Sequence, residues 1–222
     1  NYASSLYLEG LLASLTDEPV VRILVWDNYS SQVECSALNS LQAAYPKVTL
    51  QCCPVNLGFG AGVNAAIELL ASKGQHYDYF WILNPDVTVR PGALAALVSS
   101  AIEHGCEIIS PLILIAGTQR VWFAGGTIKA RAGRSIHRGI GKEQEESLRD
   151  YSEVSFVTGA APLIRADAWL RLGGFAERYF LYCEDADLSM RAADLGLAQG
   201  VEPRAVVEHA EGGSSKGSGT KS

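Results

Sequence analysis

Basic residues are scarce in this chain: 18 lysines and arginines stand against 24 aspartates and glutamates, a formal net charge of −6 over 222 residues. A surface that neutralises the phosphates of a nucleic acid needs the opposite balance, so a general nucleic-acid binder is excluded, although a local basic patch is not. Long apolar runs are missing too. The longest uncharged one, "IISPLILIAG", is too short to span a bilayer, and no signal peptide is visible after the abrupt start at Asn1. The cysteines number five (Cys35, Cys52, Cys53, Cys106 and Cys183), an odd count without C-x-x-C spacing. That argues against a disulfide framework or a zinc site and for a reducing cytoplasm. No internal repeat is present. What the chain does have is apolar content, 48% against 19% charged, enough for a sizeable core in one large domain or two small ones. A cytoplasmic globular protein is expected, with peripheral contact at the inner face of a membrane left open.

The first half alternates in period. Leu8, Leu11, Leu12 and Leu15 fall on one face of a helix. "VRILVWDN" (21–28) is a short β-branched run ending in turn residues, which predicts a buried strand. A helix over Val33 to Ala44 and a strand at "VTLQCC" (48–53) follow. After a glycine-rich turn come a helix through "GVNAAIELLASKG", a strand at "YDYFWILN" (77–84), and a helix in "PGALAALVSSAIEHG". In that last helix Pro91 falls in the first turn and Gly105 follows the end. "EIISPLIL" is strand-like again. Repeated strand–helix units with continuous apolar strands predict an α/β fold with a doubly wound, mostly parallel sheet. Ligands bind such sheets beyond the carboxyl ends of the strands, and those ends carry Asp27-Asn28, Asn56 and Asn84-Pro85-Asp86.

Past about residue 118 the rhythm changes. A stretch rich in glycine and charge predicts a hairpin and then a mobile polar loop. "VSFVTGAAPLIR" predicts a strand and "ADAWLRLGGF" a short helix with a glycine stop, while "GGSSKGSGTKS" is a flexible end. The division expected is a nucleotide-sugar-binding half over 1–118, an acceptor and catalytic half of the same domain over 119–211, and a tail over 212–222.

Four patches carry chemistry. In "WILNPDVTVR" a strand delivers Asn84 and Asp86 to its end, two oxygen donors with one residue between them, as Mg²⁺ or Mn²⁺ requires; taken alone, "NPD" is more simply an Asx turn capping the next helix. In "NLGFGAGVNAAI", Gly58, Gly60 and Gly62 would let backbone N–H groups approach a phosphate, or let a helix pack closely on a strand. His209 ends an apolar strand in "VVEHAEGGSS" and can complete a metal site or be structural. "YFLYCEDADLSMR" drives Glu184 and Asp185 from an aromatic run into the first turn of a helix. The helix dipole favours acids there, and a carboxylate against an apolar wall can also serve as a general base. His76, His104 and His137 have no such context.

Together, "LEGLLASL", "VWDNYS", "NLGFGAGVNAAI", "WILNPDVTVRPGAL", "FVTGAAPLIRADAWLRLGGFAERYFLYCEDADLSMRAADLG" and "VVEHAEGGSS" span nearly the whole chain. In that order they resemble a family 2 glycosyltransferase of the GT-A fold, within it the bacterial rhamnosyltransferase-like branch. The resemblance implies a Rossmann-like sheet with a smaller acceptor-side subregion. It also implies transfer of a sugar from a nucleoside-diphosphate donor, a dTDP- or UDP-sugar, with inversion at the anomeric carbon. The acceptor would be a saccharide or polyprenyl-linked saccharide in cell-surface polysaccharide or cell-wall synthesis. Carried over by position, Asp27 contacts the nucleotide base or ribose, and Asn56, Gly58 and Asn64 help form the donor pocket. Asn84 and Asp86 stand at the family's metal motif, with Asp86 and His209 as Mg²⁺ or Mn²⁺ ligands. Asp185 is the catalytic base, and Glu184 orients it or touches the acceptor.

Two departures accompany the resemblance. Asn84 replaces the motif's first aspartate. The family's first strand would precede "NYASSLYLEGLLASL", so the expectation is a truncated chain, and the end after Ser215 also stops short of relatives. Other readings are a sugar nucleotidyltransferase, which would want a basic glycine-rich loop near the start, and a degenerate, non-catalytic nucleotide-sugar-binding domain. Lys129, Arg131, Arg134 and Arg138 either approach lipid phosphates or line a solvated hairpin.

Overall fold

A computed structural model describes residues 1–129, 134–143 and 148–210. In chain order its elements are α1 (Ser5–Ser14), β1 (Ile23–Asn28), α2 (Gln32–Ala44), β2 (Val48–Cys53), α3 (Phe59–Ser72), β3 (Tyr79–Trp81), β4 (Val87–Val89), α4 (Ala93–Glu103) and β5 (Ile108–Ile115). There follow β6 (Val121–Phe123), β7 (Gly126–Lys129), β8 (Arg134–His137), β9 (Ser152–Glu153), β10 (Leu163–Arg165), α5 (Ala166–Leu172), α6 (Glu184–Asp194) and β11 (Gln199–His209). The expected tail over 212–222 lies outside the described residues, as do Arg131 and part of the polar loop after β8.

β5 is the spine of the larger sheet. Its Ile108, Ile109, Leu112, Ile113 and Leu114 are all buried, because it is flanked by β10 on one side and β11 on the other. Cutting any of these side chains to alanine would cost about 2–5 kcal/mol. The order across the sheet is β3-β10-β5-β11-β4, with β6 on β5 and β9 on β11. β5 and β11 pair in parallel, and β3 shares their direction because β10 runs antiparallel to both it and β5. Short reversed strands, β10 and β4, are therefore intercalated among or set beside strands that point the same way, of which β5 and β11 are the long ones. Pro111 sits inside β5 without an N–H to give, and β11, which contains Pro203, shifts register there between Glu202 and Val206.

Helices cover both faces. α1, α2 and α4 contribute Leu8, Leu11, Leu12, Leu38, Leu94 and Leu97 to one buried cluster. α3, α5 and α6 contribute Ile67, Ala168, Trp169, Leu172, Leu188 and Ala192 to the other. α4 starts at Ala93 with Gly92 as its N-cap, so Pro91 precedes the helix rather than occupying its first turn. Gly105 follows α4 in the left-handed region (φ 62°) and ends it as expected. A carboxylate from far away caps the other end: Glu18 accepts from the backbone N–H of Gly92 (2.6 Å) and Leu94 (2.9 Å).

β1 and β2 form a separate parallel pair. Among the described residues no ladder joins them to the larger sheet. A long cleft runs between the two, lined by Ile23 to Trp26 of β1 and Tyr79 to Trp81 of β3. At its upper end Asn1 lies alongside β1, its nitrogen donating to the Trp26 carbonyl (2.6 Å) and its carbonyl accepting from the Asn28 N–H (2.8 Å). The predicted strand over 154–165 is mostly not one. Only Leu163–Arg165 joins the sheet, and the segment before it turns through Thr158, Gly159 and Ala160 along the cleft wall. The expected hairpin is β7 paired antiparallel with β8.

Candidate active site

The cleft is where the sequence-predicted residues divide into those that line it and those that hold its walls. Asn28, Asn56, Gly58, Asn84, Asp86, Glu184, Asp185 and His209 line it; Asp27 and Asn64 do not.

Asp86 and His209 are brought together by strand register. β11 pairs antiparallel with β4, setting His209 opposite Val87, so the residue before β4 meets the last residue of β11. Asp86 Oδ1 lies 3.4 Å from His209 Nε2. Asp86 is 7% exposed and neither of its carboxylate oxygens accepts a hydrogen bond. Burying a carboxylate so sparsely partnered is costly unless a cation or a donor completes it. An oxygen anion beside an imidazole suits a divalent cation such as Mg²⁺ or Mn²⁺, so the residues present fit the metal that the sequence implies. Asn84 is half-buried beside them, held through its backbone: its N–H donates to the Ala160 carbonyl (2.9 Å) and its carbonyl accepts from Val87 (3.3 Å).

A second group of potential ligands, Asp27, Cys35 and Cys52, lies within 4.8 Å of one another. Burial, then the neighbouring Cys35, pushes the Cys52 thiol up to about 11, which disfavours the thiolate a metal needs. Asp27 is fully buried and already occupied: it accepts from Asn1 Nδ2 (2.8 Å), Ser30 Oγ (2.5 Å) and Ser30 N–H (3.0 Å). The polar group that reaches the cleft from the end of β1 is its neighbour Asn28.

Asn28 and Asn56 shape the glycine-rich turn. Asn28 Nδ2 donates to Asn56 Oδ1 (2.8 Å) and to the Gly58 carbonyl (2.9 Å), and Asn28 Oδ1 accepts from Leu57 N–H (2.9 Å). Gly58 is left-handed (φ +85°), and a Cβ there would lie 2.3 Å from the Phe180 carbonyl oxygen. A Cβ on Gly60 would meet Phe175 at 2.9 Å. These glycines let the start of α3 press against segment 175–180. Asn64 works on the same segment from α3, accepting from Phe175 N–H (2.9 Å) and donating to the Phe175 carbonyl (2.9 Å) and to Glu177 (3.0 Å).

That segment feeds the first turn of α6. Asp185 is half-buried, with Oδ2 accepting from Gly159 N–H (3.1 Å) and Oδ1 from Ala186 N–H (2.8 Å). Glu184 is 6% exposed and its Oε2 has no hydrogen-bond partner. Burial pushes its carboxyl above the usual range; its own backbone N–H opposes this and the charge of Asp185 adds to it. Asp187 does something else. It pairs with Arg178 and with Arg191 (Nε, 2.7 Å), while Arg191 also donates to the carbonyls of Leu172 (2.6 Å) and Gly174 (2.9 Å). The three acids of the turn thus separate into a braced carboxylate, a buried one and a structural one.

Sequence reasoning missed three residues here. Gly159 supplies the N–H that braces Asp185. Trp122 stacks on His209 with ring centroids 4.5 Å apart and 25° between planes. His137, given no role above, packs edge-on against Trp122 at 5.5 Å and lines the cleft with Arg134. Nothing in "VWFAGG" or "SIHR" marks these positions; β5–β6 and β7–β8 pairing bring them in.

The model of Glycosyl transferase family 2 matches residues 1–172. An N-acetylglucosaminyl-diphospho-decaprenol L-rhamnosyltransferase of Mycobacterium tuberculosis is 31% identical over 232 residues, covering 94% of this chain and 73% of the relative. The rhamnosyltransferase WbbL of Escherichia coli K12 is 27% identical over 200 residues, covering 86% and 74%. Among solved structures, GalNAc-T7 with UDP, GalNAc and Mn²⁺ superposes with a TM-score of 0.69 at 13% identity, over 90% of this chain. S. aureus TarS superposes with 0.66 at 15% identity, over 95%. This chain spans 40% and 35% of those two structures, and at such identity the likeness is one of fold alone. No helix of the described residues is long and apolar enough to cross a membrane.

Proposed function

The chain belongs to glycosyl transferase family 2, and on that premise we propose that it is an inverting, metal-dependent transferase carrying a deoxysugar, rhamnose, from a nucleoside-diphosphate donor to a lipid-linked saccharide. The observation that carries the reading is the meeting in one cleft of the sparsely partnered Asp86 beside His209 with Asp185, whose carboxylate is fixed by two backbone N–H groups. The curated relatives with rhamnosyltransferase names support the sugar, and the decaprenol in one of those names supports the acceptor class.

In this reading residues 1–118 form the donor half and 119–211 the acceptor half. Asn28, Asn56 and the turn at Gly58 line the donor side. Asp86 and His209 would hold Mg²⁺ or Mn²⁺, with Trp122 keeping the imidazole in plane. Bound there, the ion supplies positive charge against the diphosphate that departs. Asp185 takes the proton from the acceptor hydroxyl as it attacks the anomeric carbon. Its two hydrogen bonds aim the carboxylate at one position in the cleft, and a single displacement with inversion needs no covalent intermediate. Glu184 stands against the same wall and bonds the acceptor or orients Asp185. Synthesis of a cell-surface polysaccharide, on the inner face of a membrane, follows from the acceptor class.

The test is a thermal-shift panel of UDP, dTDP and GDP with and without Mn²⁺, followed by release of nucleoside diphosphate from dTDP-rhamnose with a lipid-linked N-acetylglucosamine acceptor. Ligand that binds the folded state alone must raise Tm. A metal-dependent shift for one base, then diphosphate release, is the expected result. A nucleotide shift without diphosphate release would favour a degenerate nucleotide-sugar-binding domain, and no shift with any nucleotide would overturn the transferase reading.

A further inference from the structure

Between the loop that Asn64 holds and the first turn of α6, the chain presents Phe180, Leu181 and Tyr182 to solvent, 58%, 50% and 66% exposed. Single exposed apolar side chains are ordinary on any surface; three in succession at the rim of a cleft are not. Nor is this segment slack. Phe59 N–H donates to the Phe180 carbonyl (2.9 Å), and Gly58 approaches that oxygen as closely as its missing Cβ allows. Tyr182 and Cys183 both take left-handed backbone angles, φ 68° and 71°, an arrangement that side chains disfavour and that persists only where surrounding structure imposes it. The fold thus holds a strained turn which buries Glu184 and leaves the three preceding apolar side chains out in water.

What would cover them is set by their place. All three line the cleft that holds Asp185, and they run into it along the chain without a break. Two exposed cations line the same cleft, Arg134 and Arg178, the second with its guanidinium also paired to Asp187. A free saccharide can lay a C–H face on Phe180 or Tyr182, but it brings no hydrocarbon for Leu181 and no charge for the arginines. A saccharide joined through a diphosphate to a hydrocarbon matches all three features: a hydroxyl for Asp185, negative charge for the arginines and an apolar chain for the rim. We propose that Phe180, Leu181 and Tyr182 bind the first isoprene units of a polyprenyl-diphosphate-linked acceptor, with Arg134 and Arg178 facing its diphosphate. The assignment rests on the lipid-linked acceptor of the proposed function and names the residues that would recognise it.

Binding can be measured without turnover, by co-sedimentation with phosphatidylcholine vesicles that contain or lack decaprenyl diphosphate. The protein should prefer the vesicles with the prenyl lipid by about tenfold or more, and Phe180→Ser/Leu181→Ser/Tyr182→Ser should lose most of that preference. Equal binding to both vesicles would mean a general affinity for bilayers and would overturn the proposal, as would a preference that survives the triple substitution. Should the triple variant melt early, Leu181→Ser alone must weaken the preference about threefold or more, and no change would sink the idea. The nucleotide panel separates this failure from failure of the transferase reading: a chain that answers a nucleoside diphosphate but not the prenyl lipid is a transferase whose acceptor is held elsewhere.

Discussion

Asp86 Oδ1 stands 3.4 Å from His209 Nε2, in a pair made by one residue before β4 and the last residue of β11. Each is at least nine-tenths buried, and the carboxylate receives no hydrogen bond. Such a carboxylate is held at a cost until something positive arrives. Asp86→Asn should therefore melt a few degrees higher than the parent in chelator, and lose the rise in Tm that Mn²⁺ with nucleotide gives the parent. Differential scanning fluorimetry reads both. A variant that keeps the Mn²⁺-dependent rise would remove Asp86 from the metal site.

Asp185→Asn separates chemistry from binding. Its amide retains one acceptor where the carboxylate has two, so the bond from Gly159 or from Ala186 is lost, at about 1 kcal/mol of stability. Transfer should fall about 10²–10⁴-fold, while the Tm response to nucleotide and metal stays near that of the parent. Turnover at the parental rate would exclude Asp185 as the base.

Glu184 gives a pH signature. Its folded carboxyl is raised, chiefly by burial, so the folded state binds a proton that the unfolded chain releases. That contribution to stability is fully present below the unfolded pKa and is lost as pH rises through the folded one. Glu184→Gln, which never ionises, should therefore match the parent in acid and melt above it at neutral and higher pH. Parallel Tm curves across pH 4 to 8 (a range chosen to bracket ordinary carboxyl titration) would contradict the assignment.

Gly58→Ala tests the seat of the glycine-rich turn. The added Cβ would lie 2.3 Å from the Phe180 oxygen, and the backbone there is left-handed. Destabilisation of about 2 kcal/mol or more is expected from the clash and the strained φ together, together with weaker transfer because segment 175–180 leads into Asp185. Gly141→Ala is the control: it is also left-handed, but nothing lies near its Cβ, so the strain alone should cost about 1 kcal/mol.

Local signals were legible where local physics decides. The leucine spacing of α1, the glycine after α4 and the carboxylates opening α6 all sit where the sequence predicts, because periodicity, a left-handed stop and the helix dipole act over a few residues. Long-range partnerships were not legible. Glu18 caps a helix more than seventy residues away, Asn64 secures a loop beyond residue 170, and Trp122 meets His209 only through the sheet. The apolar run at 154–165 read as a strand because burial alone makes a run apolar, while the turn at Gly159 that braces Asp185 carries no periodic mark. Asp27 shows the limit for motifs: its position at the end of β1 is legible, but the direction of its side chain, inward to Ser30 and Asn1, depends on neighbours that only the fold supplies.

β11 lies between β5 and β4, hydrogen-bonded to both, yet it is made after either. On the ribosome, β5 must wait for a partner that is roughly 90 residues further along the message, an interval on the order of 5–20 s at ordinary elongation rates. Through that interval the most apolar strand of the protein has an open edge, and the imidazole proposed to complete a metal pair has yet to be synthesised. Yield in the cell should therefore depend on chaperone supply and translation speed more than on the final stability of the sheet, and capture of the proposed metal would be among the last events of maturation.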